Sequence, residues 1–91
     1  MKDNNNYSIE KIKKVCVLCT IDTEGRTAYL RSLHDPGKWE ITTDIETATK
    51  YTTDDAAMMS YDFYQREMGN DAGTFVIVPL EIEYRLIEEQ D

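Results

Sequence analysis

The chain has 91 residues, 41% of them apolar, and carries a net charge of −8 with two cysteines. This length suits a single domain, which we place at residues 7–91 behind a disordered polar tail at 1–6. No apolar run is long enough to cross a bilayer, and the polar start MKDNNN is unlike a signal peptide. We therefore expect a protein of the reducing cytoplasm with no membrane partner.

Charge is divided unevenly along the chain. Residues 1–38 contain seven Lys or Arg and five Asp or Glu, whereas residues 39–91 contain three and thirteen. A segment this acidic repels phosphate backbones and attracts basic protein surfaces, so we expect no direct nucleic-acid partner. The alternative is a surface that is acidic only for solubility.

The first half of the chain predicts two strands joined by a tight turn. Residues 7–14 suit either a helical turn or the start of a strand. Residues 15–21 form an apolar run that is typical of a strand in mid-sheet or covered on both faces. The turn that contains Gly25 predicts a hairpin between this strand and a second one at 27–33.

A second turn and a third strand follow. Residues 34–38, HDPGK, place Pro and Gly side by side, which predicts a turn. Residues 39–43 form the next strand, with Trp39 and Ile41 on one face. The connector at 44–51 has three side chains that we expect to pack inward: Ile45, Ala48 and Tyr51.

The helix signals come next in the chain. Thr53 is a good N-cap, and the carboxylates of Asp54 and Asp55 interact favourably with the helix dipole in the first turn. Gly69 with Asn70 ends the helix. At about 100° per residue, five side chains gather on one broad face of the helix. These are Ala56, Ala57, Ser60, Phe63 and Tyr64.

Residues 75–87 show the clearest alternation in the chain. One face carries Val76, Val78, Leu80, Ile82, Tyr84 and Leu86, and the other carries Glu81, Glu83 and Arg85. Pro79 cannot donate to a ladder, so this strand lies at a sheet edge or is bulged or bent there. The sequence predicts a small α+β domain of order β-β-β-α-β, with an antiparallel sheet that carries one helix on its apolar face.

The two cysteines have the C-x-x-C spacing of some redox and metal sites. Residues three apart on a strand point to opposite faces, so Cys16 and Cys19 would not converge on one metal. A redox C-x-x-C lies at a helix N-terminus, whereas this one lies within an apolar strand. We interpret both as structural thiols, and metal analysis with a thiol titration would test the alternative.

No other pattern indicates catalysis. His34, the only histidine, stands in a predicted turn without a Ser or Cys partner at a recognisable spacing. The four glycines fit turns and caps rather than a phosphate-binding loop. We therefore predict no enzyme, no cofactor and no metal.

The remaining feature is an acidic surface interleaved with apolar side chains. Carboxylates can steer docking onto Lys and Arg, and Met58, Tyr61 and Tyr64 would add apolar anchoring. The residues that we predict to bind a partner are Asp55, Met58, Tyr61, Asp62, Glu81 and Glu83.

Residues 28–60, AYLRSLHDPGKWEITTDIETATKYTTDDAAMMS, resemble small proteins of phages and prophages. In those proteins a hairpin reading Y-L-(K/R)-S leads to a Trp-bearing strand, and A-x-x-(F/Y)-(T/S)-x-(D/E)-x-A then begins one helix. The matching residues are Tyr29, Leu30, Arg31, Ser32, Trp39, Ala48, Tyr51, Thr52 or Thr53, Asp54 or Asp55, and Ala56 or Ala57. Small acidic phage proteins include anti-CRISPRs and other inhibitors of host nucleases, and some of them mimic DNA.

The resemblance and the charge together lead to one hypothesis. It is a phage or prophage protein, acting in the bacterial host cytoplasm, that binds and inhibits a basic nucleic-acid-processing protein such as a CRISPR effector. Its acidic surface would occlude a nucleic-acid groove, as a nucleic-acid mimic does. The alternative is a structural or assembly module that forms a homodimer or larger homo-oligomer through its last strand.

Overall fold

The computed structural model describes residues 9–33 and 38–86 and has an α+β fold. A four-stranded antiparallel sheet has the strand order β3-β2-β1-β4. The elements are β1 (Ile9–Ile21), β2 (Thr27–Ser32), β3 (Trp39–Thr42), α1 (Asp54–Met68), a 3-10 turn (Gly69–Asp71) and β4 (Val76–Arg85). The predicted class and the order β-β-β-α-β are confirmed.

Some sequence predictions concern residues outside this description. They are the tail at 1–6, the start of the domain at 7–8, the turn at 34–37 with His34, and the chain from Ile87 onward.

The central strand β1 is longer than its apolar run. It begins at Ile9, so the strand alternative for residues 7–14 is right over the described part. β1 pairs with β2 at one end and with β4 along most of its length. The hairpin turn to β2 places Gly25 at φ +83°, a left-handed conformation that favours glycine. The predicted hairpin is therefore confirmed.

β1 and β2 diverge beyond the pair Cys19 and Tyr29, and the segment before α1 lies in the gap between them. We call this gap the fork. Cys16 and Tyr51 exchange two backbone hydrogen bonds of 2.9 Å. The Thr49 N–H donates to the carbonyl of Leu30 at 3.3 Å, and the Ser32 N–H donates to Oγ1 of Thr49 at 2.7 Å. The backbone groups of β1 and β2 that face this gap thus find hydrogen-bond partners in the inserted segment.

The helix α1 has the predicted caps. Oγ1 of Thr53 accepts a hydrogen bond from the Ala56 N–H at 3.0 Å, and two aspartates occupy the first turn. At the other end, Gly69 adopts φ +57° and its N–H donates to the carbonyl of Gln65. The helix is fixed at both ends by its own sequence.

One hydrophobic core lies between α1 and the sheet. Tyr64 is the central aromatic residue of this core. Its ring centroid lies 5.3 Å from that of Trp39 and 5.7 Å from that of Phe75, and both ring pairs are edge to face. The Tyr64 hydroxyl accepts a hydrogen bond from the Gly73 N–H at 2.8 Å, which ties the loop before β4 to the helix. The buried members of the core are Cys16, Leu18, Leu30, Ala57, Tyr64 and Phe75.

The helix packs on the face of β4 opposite to the one predicted. Ile77 lies opposite Leu18 in the register and packs against the core. Val78 lies opposite Val17 and therefore belongs to the other face of the sheet. The prediction was wrong because β1 buries side chains on both faces: Leu18 is 0% exposed and Val17 is 1% exposed.

Ile45, which was predicted to pack inward, and Phe63, which was placed on the broad face of the helix, are both exposed. Ile45 lies on the surface of the connector, where Ala48 is the buried member and Tyr51 is half-buried. Phe63 is also exposed, although its ring approaches Trp39 edge to face at 6.3 Å. Within that broad face, the helix buries only a narrow stripe at Ala57 and Tyr64.

Beyond Cys16 and Pro79 the sheet continues as a two-stranded ribbon, which consists of residues 9–14 of β1 and 81–85 of β4. The pairing shifts register between Ile9 and Lys11, as in a β-bulge. Side chains on both faces of the ribbon are exposed: Lys11, Ile12, Lys13, Lys14, Glu81, Glu83, Tyr84 and Arg85.

Candidate functional site

The outward face of α1 carries a shallow depression. Three of the predicted partner-binding residues, Met58, Tyr61 and Asp62, line it together. Met59 and Gln65 complete the lining. The structure therefore brings half of the predicted set to one place on the helix.

The depression is apolar and its rim is acidic. Met58 is 57% exposed and Met59 is 74% exposed, and methionine side chains adapt readily to a partner surface. Asp55, also exposed, stands seven residues before Asp62, so the two lie about 20° apart around the helix. Exposed thioethers beside carboxylates suit a ligand that is both apolar and basic.

Tyr61 forms an inner wall of the depression. Its hydroxyl donates to the carbonyl of Gly73 at 3.3 Å and accepts from the Phe75 N–H at 3.0 Å. Its ring stacks on Tyr64 at a centroid distance of 6.1 Å. Tyr61 therefore holds the loop before β4, with part of its surface left to a ligand. Tyr64, which was also expected to anchor a partner, is only 3% exposed, so that prediction was wrong.

The carboxylate of Asp62 has one neighbouring cation within the helix. Oδ2 of Asp62 accepts a hydrogen bond from the Arg66 guanidinium at 2.8 Å, and both side chains are largely exposed. An exposed pair of this kind contributes little stability, typically about 0.3–0.5 kcal/mol. A basic side chain of a partner could therefore replace Arg66 at small cost.

Glu81 and Glu83 lie elsewhere, on the ribbon. They are two residues apart on β4 and so share one face. Together with Leu80 and Ile82 they line a second depression, opposite Ile45, Glu46 and Lys50 of the connector. The predicted set thus divides between two surfaces, one on α1 and one on β4.

The cysteines do not form a joint site. Cys16 lies opposite Pro79 and Cys19 lies opposite Val76 in the same ladder, so the two side chains point to opposite faces. Sγ of Cys16 lies 3.4 Å from the carbonyl oxygen of Thr53. Burial raises the pKa of the Cys16 thiol, and the Asp54 carboxylate raises that pKa further, so the thiol stays protonated at neutral pH. The strand interpretation is confirmed.

The described residues contain neither a group of metal ligands nor a helix suited to a membrane. Across residues 9–33 and 38–86, no group of three or more His, Cys, Asp or Glu side chains is arranged to hold a metal ion. Over the same ranges, no helix has the length and apolar content needed to span a membrane.

Met59 and Gln65 are the lining residues that the sequence prediction left out. Each stands three residues from Asp62, which places it about 60° away around the helix. A helical projection centred on Asp62 would have found both. Helical spacing was therefore the signal that could have found them.

Comparison with known proteins gives no match. Neither the protein-family models, nor the curated proteins, nor the solved structures contain one that matches this chain. A function for this chain is therefore inferred from its fold, its charge and the two depressions.

Proposed function

We propose that this chain is a non-enzymatic binding protein that docks on a basic nucleic-acid-processing protein and inhibits it. The observation that carries the proposal is the depression on α1, in which Met58 and Met59 are exposed beside the carboxylate of Asp62. Apolar contact would supply affinity and the carboxylates would steer the encounter.

The charge of the chain supports a basic partner. A net charge of −8 on 91 residues attracts a positively charged groove over distances comparable with the Debye length, about 10 Å at 0.1 M salt. A groove that normally holds nucleic acid is such a surface. Inhibition by occlusion would then need no chemistry from the bound protein.

The most specific form of the proposal is an anti-CRISPR protein of a phage or prophage. It is supported by the resemblance of residues 28–60 to small phage proteins and by the acidic surface. The target would be an assembled CRISPR effector in the bacterial cytoplasm, and the blocked surface would be its nucleic-acid channel.

A direct test uses purified, assembled CRISPR effectors and a labelled target DNA. The protein should reduce DNA cleavage in proportion to its concentration, and its association rate should fall as salt is raised. The double variant Asp55→Lys with Asp62→Lys should slow association by about tenfold or more at low salt. The double variant Met58→Ala with Met59→Ala should mainly speed dissociation.

Glu67→Lys is the matched control for one of these charge changes. Glu67 is exposed on the same helix, but it stands five residues from Asp62 and hence about 140° around the helix. It should alter association less than Asp62→Lys does. If no effector is bound or inhibited, the anti-CRISPR form is wrong. If binding occurs and survives the aspartate reversals unchanged, the electrostatic mechanism is wrong.

A second candidate is a homo-oligomer formed through the last strand. The observation in its favour is that β4 lies at the sheet edge and pairs only with β1 among the described strands. Sedimentation at several concentrations tests this candidate. A monomer at every concentration would remove it.

A further inference from the structure

The fork in the sheet determines which backbone groups of β4 face outward. Cys16 directs both its N–H and its carbonyl to Tyr51, on the side of β1 away from β4. Its pair with Pro79 is therefore a non-hydrogen-bonded pair of the ladder. The adjacent pairs, such as Val15 with Leu80, are the hydrogen-bonded ones.

Successive residues of a strand direct their backbone N–H and C=O groups alternately to its two sides, so the residues that face the outer edge of β4 follow from this pairing. Ile77, Pro79, Glu81 and Glu83 point their backbone groups away from β1, and no described residue pairs with them there. Pro79 has no N–H and interrupts the row of donors. The continuous part of the edge is consequently at Glu81 and Glu83, which together offer two N–H donors and two carbonyl acceptors.

The side chains along this edge alternate in character. Glu81 and Glu83 point to one face, and Ile82 between them points to the other. On the face of Ile82, the apolar part of the second depression continues with Leu80 and Ile45. The Arg85 guanidinium reaches Oε1 of Glu83 at 3.1 Å in an exposed pair that a ligand can displace.

We propose that this edge of β4 binds an extended peptide segment in which two Lys or Arg residues flank one apolar residue. The incoming strand would form backbone hydrogen bonds with Glu81 and Glu83, and its two cations would stand beside the two carboxylates. Its apolar residue would lie next to Ile82. The inference rests on the proposed function in taking the partner to be a basic protein, but it concerns a surface separate from α1.

Charge argues against the most symmetrical self-pairing of this edge. A two-fold pairing of β4 with β4 of a second copy, centred between Glu81 and Glu83, sets carboxylates directly opposite each other, which is destabilising. The competing occupant is instead β1 of a second copy, because Lys11, Ile12 and Lys13 have the basic–apolar–basic spacing. The test must separate these two occupants.

The test uses the full chain and a capped seven-residue peptide that alternates lysine and valine. Binding is followed by fluorescence anisotropy, and amide hydrogen exchange is read residue by residue. We expect the Glu81 and Glu83 amides to exchange at least about tenfold more slowly when the peptide is bound. The Leu80 amide, already bonded to β1, should change much less. Methylating the peptide nitrogens that face β4 should abolish the protection.

Two control ligands and variants complete the experiment. A peptide of the same composition with its lysines contiguous should bind at least about tenfold more weakly, because its side chains no longer alternate. E81Q/E83Q should weaken binding of the alternating peptide by a similar factor, and Glu67→Gln should not. Asp55→Lys with Asp62→Lys should leave peptide binding largely intact, which separates this inference from the function proposed for α1.

Three results would overturn the inference. They are no binding of the alternating peptide, equal binding of the contiguous peptide without protection of Glu81 and Glu83, or a dimer in sedimentation whose Glu81 and Glu83 amides are already protected without peptide.

Discussion

The ribbon and the packed body, which is the rest of the sheet together with α1, share the strands β1 and β4. The two regions differ in what covers these strands. In the body, Leu18 of β1 is fully buried beneath α1 and Val17 is buried on the other face. In the ribbon, six residues earlier in the same strand, Ile12 is exposed although it points to the same face as Leu18. β1 is thus covered on both faces in the body and on neither face in the ribbon.

A strand can contribute to stability only where it is covered, and its groups are accessible only where it is not. A two-stranded ribbon is only marginally stable in water, so the ribbon depends on the body for its order. In return, the ribbon presents backbone and side-chain groups that a covered sheet would hide. Buried apolar side chains are concentrated in the body, whereas the ribbon and the outer face of α1 carry exposed apolar and charged side chains.

The largest expected effect comes from truncating the same face of β1 in the two regions. Leu18→Ala should lower the free energy of unfolding by about 2–5 kcal/mol, because it leaves a cavity in the core. Ile12→Ala should lower it by less than about 1 kcal/mol. Urea denaturation of both variants measures the difference. Equal losses would show that the ribbon is packed as tightly as the body.

Hydrogen exchange should show the same contrast without mutation. The Val17 and Lys13 amides both face β4 in hydrogen-bonded pairs of one ladder. We expect the Lys13 amide to exchange at least about tenfold faster, because local opening of the ribbon needs less free energy than opening of the body. Similar rates would mean that ribbon and body open as one unit.

A smaller effect is expected from removing one hydroxyl. Tyr64→Phe leaves the Gly73 N–H without its acceptor and should cost about 1–2 kcal/mol. Tyr84→Phe on the exposed ribbon is the matched control and should change the free energy of unfolding by less than about 0.5 kcal/mol. Thermal or urea unfolding would compare them, and a loss at Tyr84 as large as that at Tyr64 would contradict the assignment.

The smallest effect concerns the hairpin turn at the end of the body away from the ribbon. Hydrogen bonds from the backbone N–H groups of Arg26 and Glu24 hold the pKa of the Asp22 carboxyl below its usual range. A carboxyl whose folded pKa is depressed stabilises the fold above its unfolded pKa, and that stabilisation is lost as pH falls through the lower folded pKa.

Asp22→Asn isolates this contribution from those of the other carboxyls. Wild type and variant should differ most in Tm above the ordinary pKa of Asp, about 3.9, and converge as pH falls below the lower folded pKa. A difference in Tm that stays constant across this range would show that the Asp22 charge does not contribute.

Local features of the fold were predictable from the sequence. Gly25 and the cap residues Thr53 and Gly69 were found because each acts through its own neighbours in the chain. Pro79 predicted an edge, a bulge or a bend, because proline lacks a ladder donor, and the first of these alternatives is right: β4 lies at the sheet edge.

The features that depend on distant contacts were not predictable in this way. The face of β4 that receives the helix is chosen by the apolar run of β1, which has no alternation of its own to reveal the choice. The position of Tyr61 depends on acceptor and donor groups at Gly73 and Phe75, twelve and fourteen residues away. The fork depends on Cys16 and Tyr51, which are 35 residues apart.

The fork has a consequence for the order of folding. If β1 and β2 continued in the register that sets Cys19 opposite Tyr29, Leu30 would lie opposite Leu18 and Ser32 opposite Cys16. Such a longer hairpin would use contacts close in sequence, whereas Tyr51 reaches Cys16 only after a long loop closes. We therefore expect the insertion of the segment with Thr49 and Tyr51 to be slower than the pairing of β1 with β2.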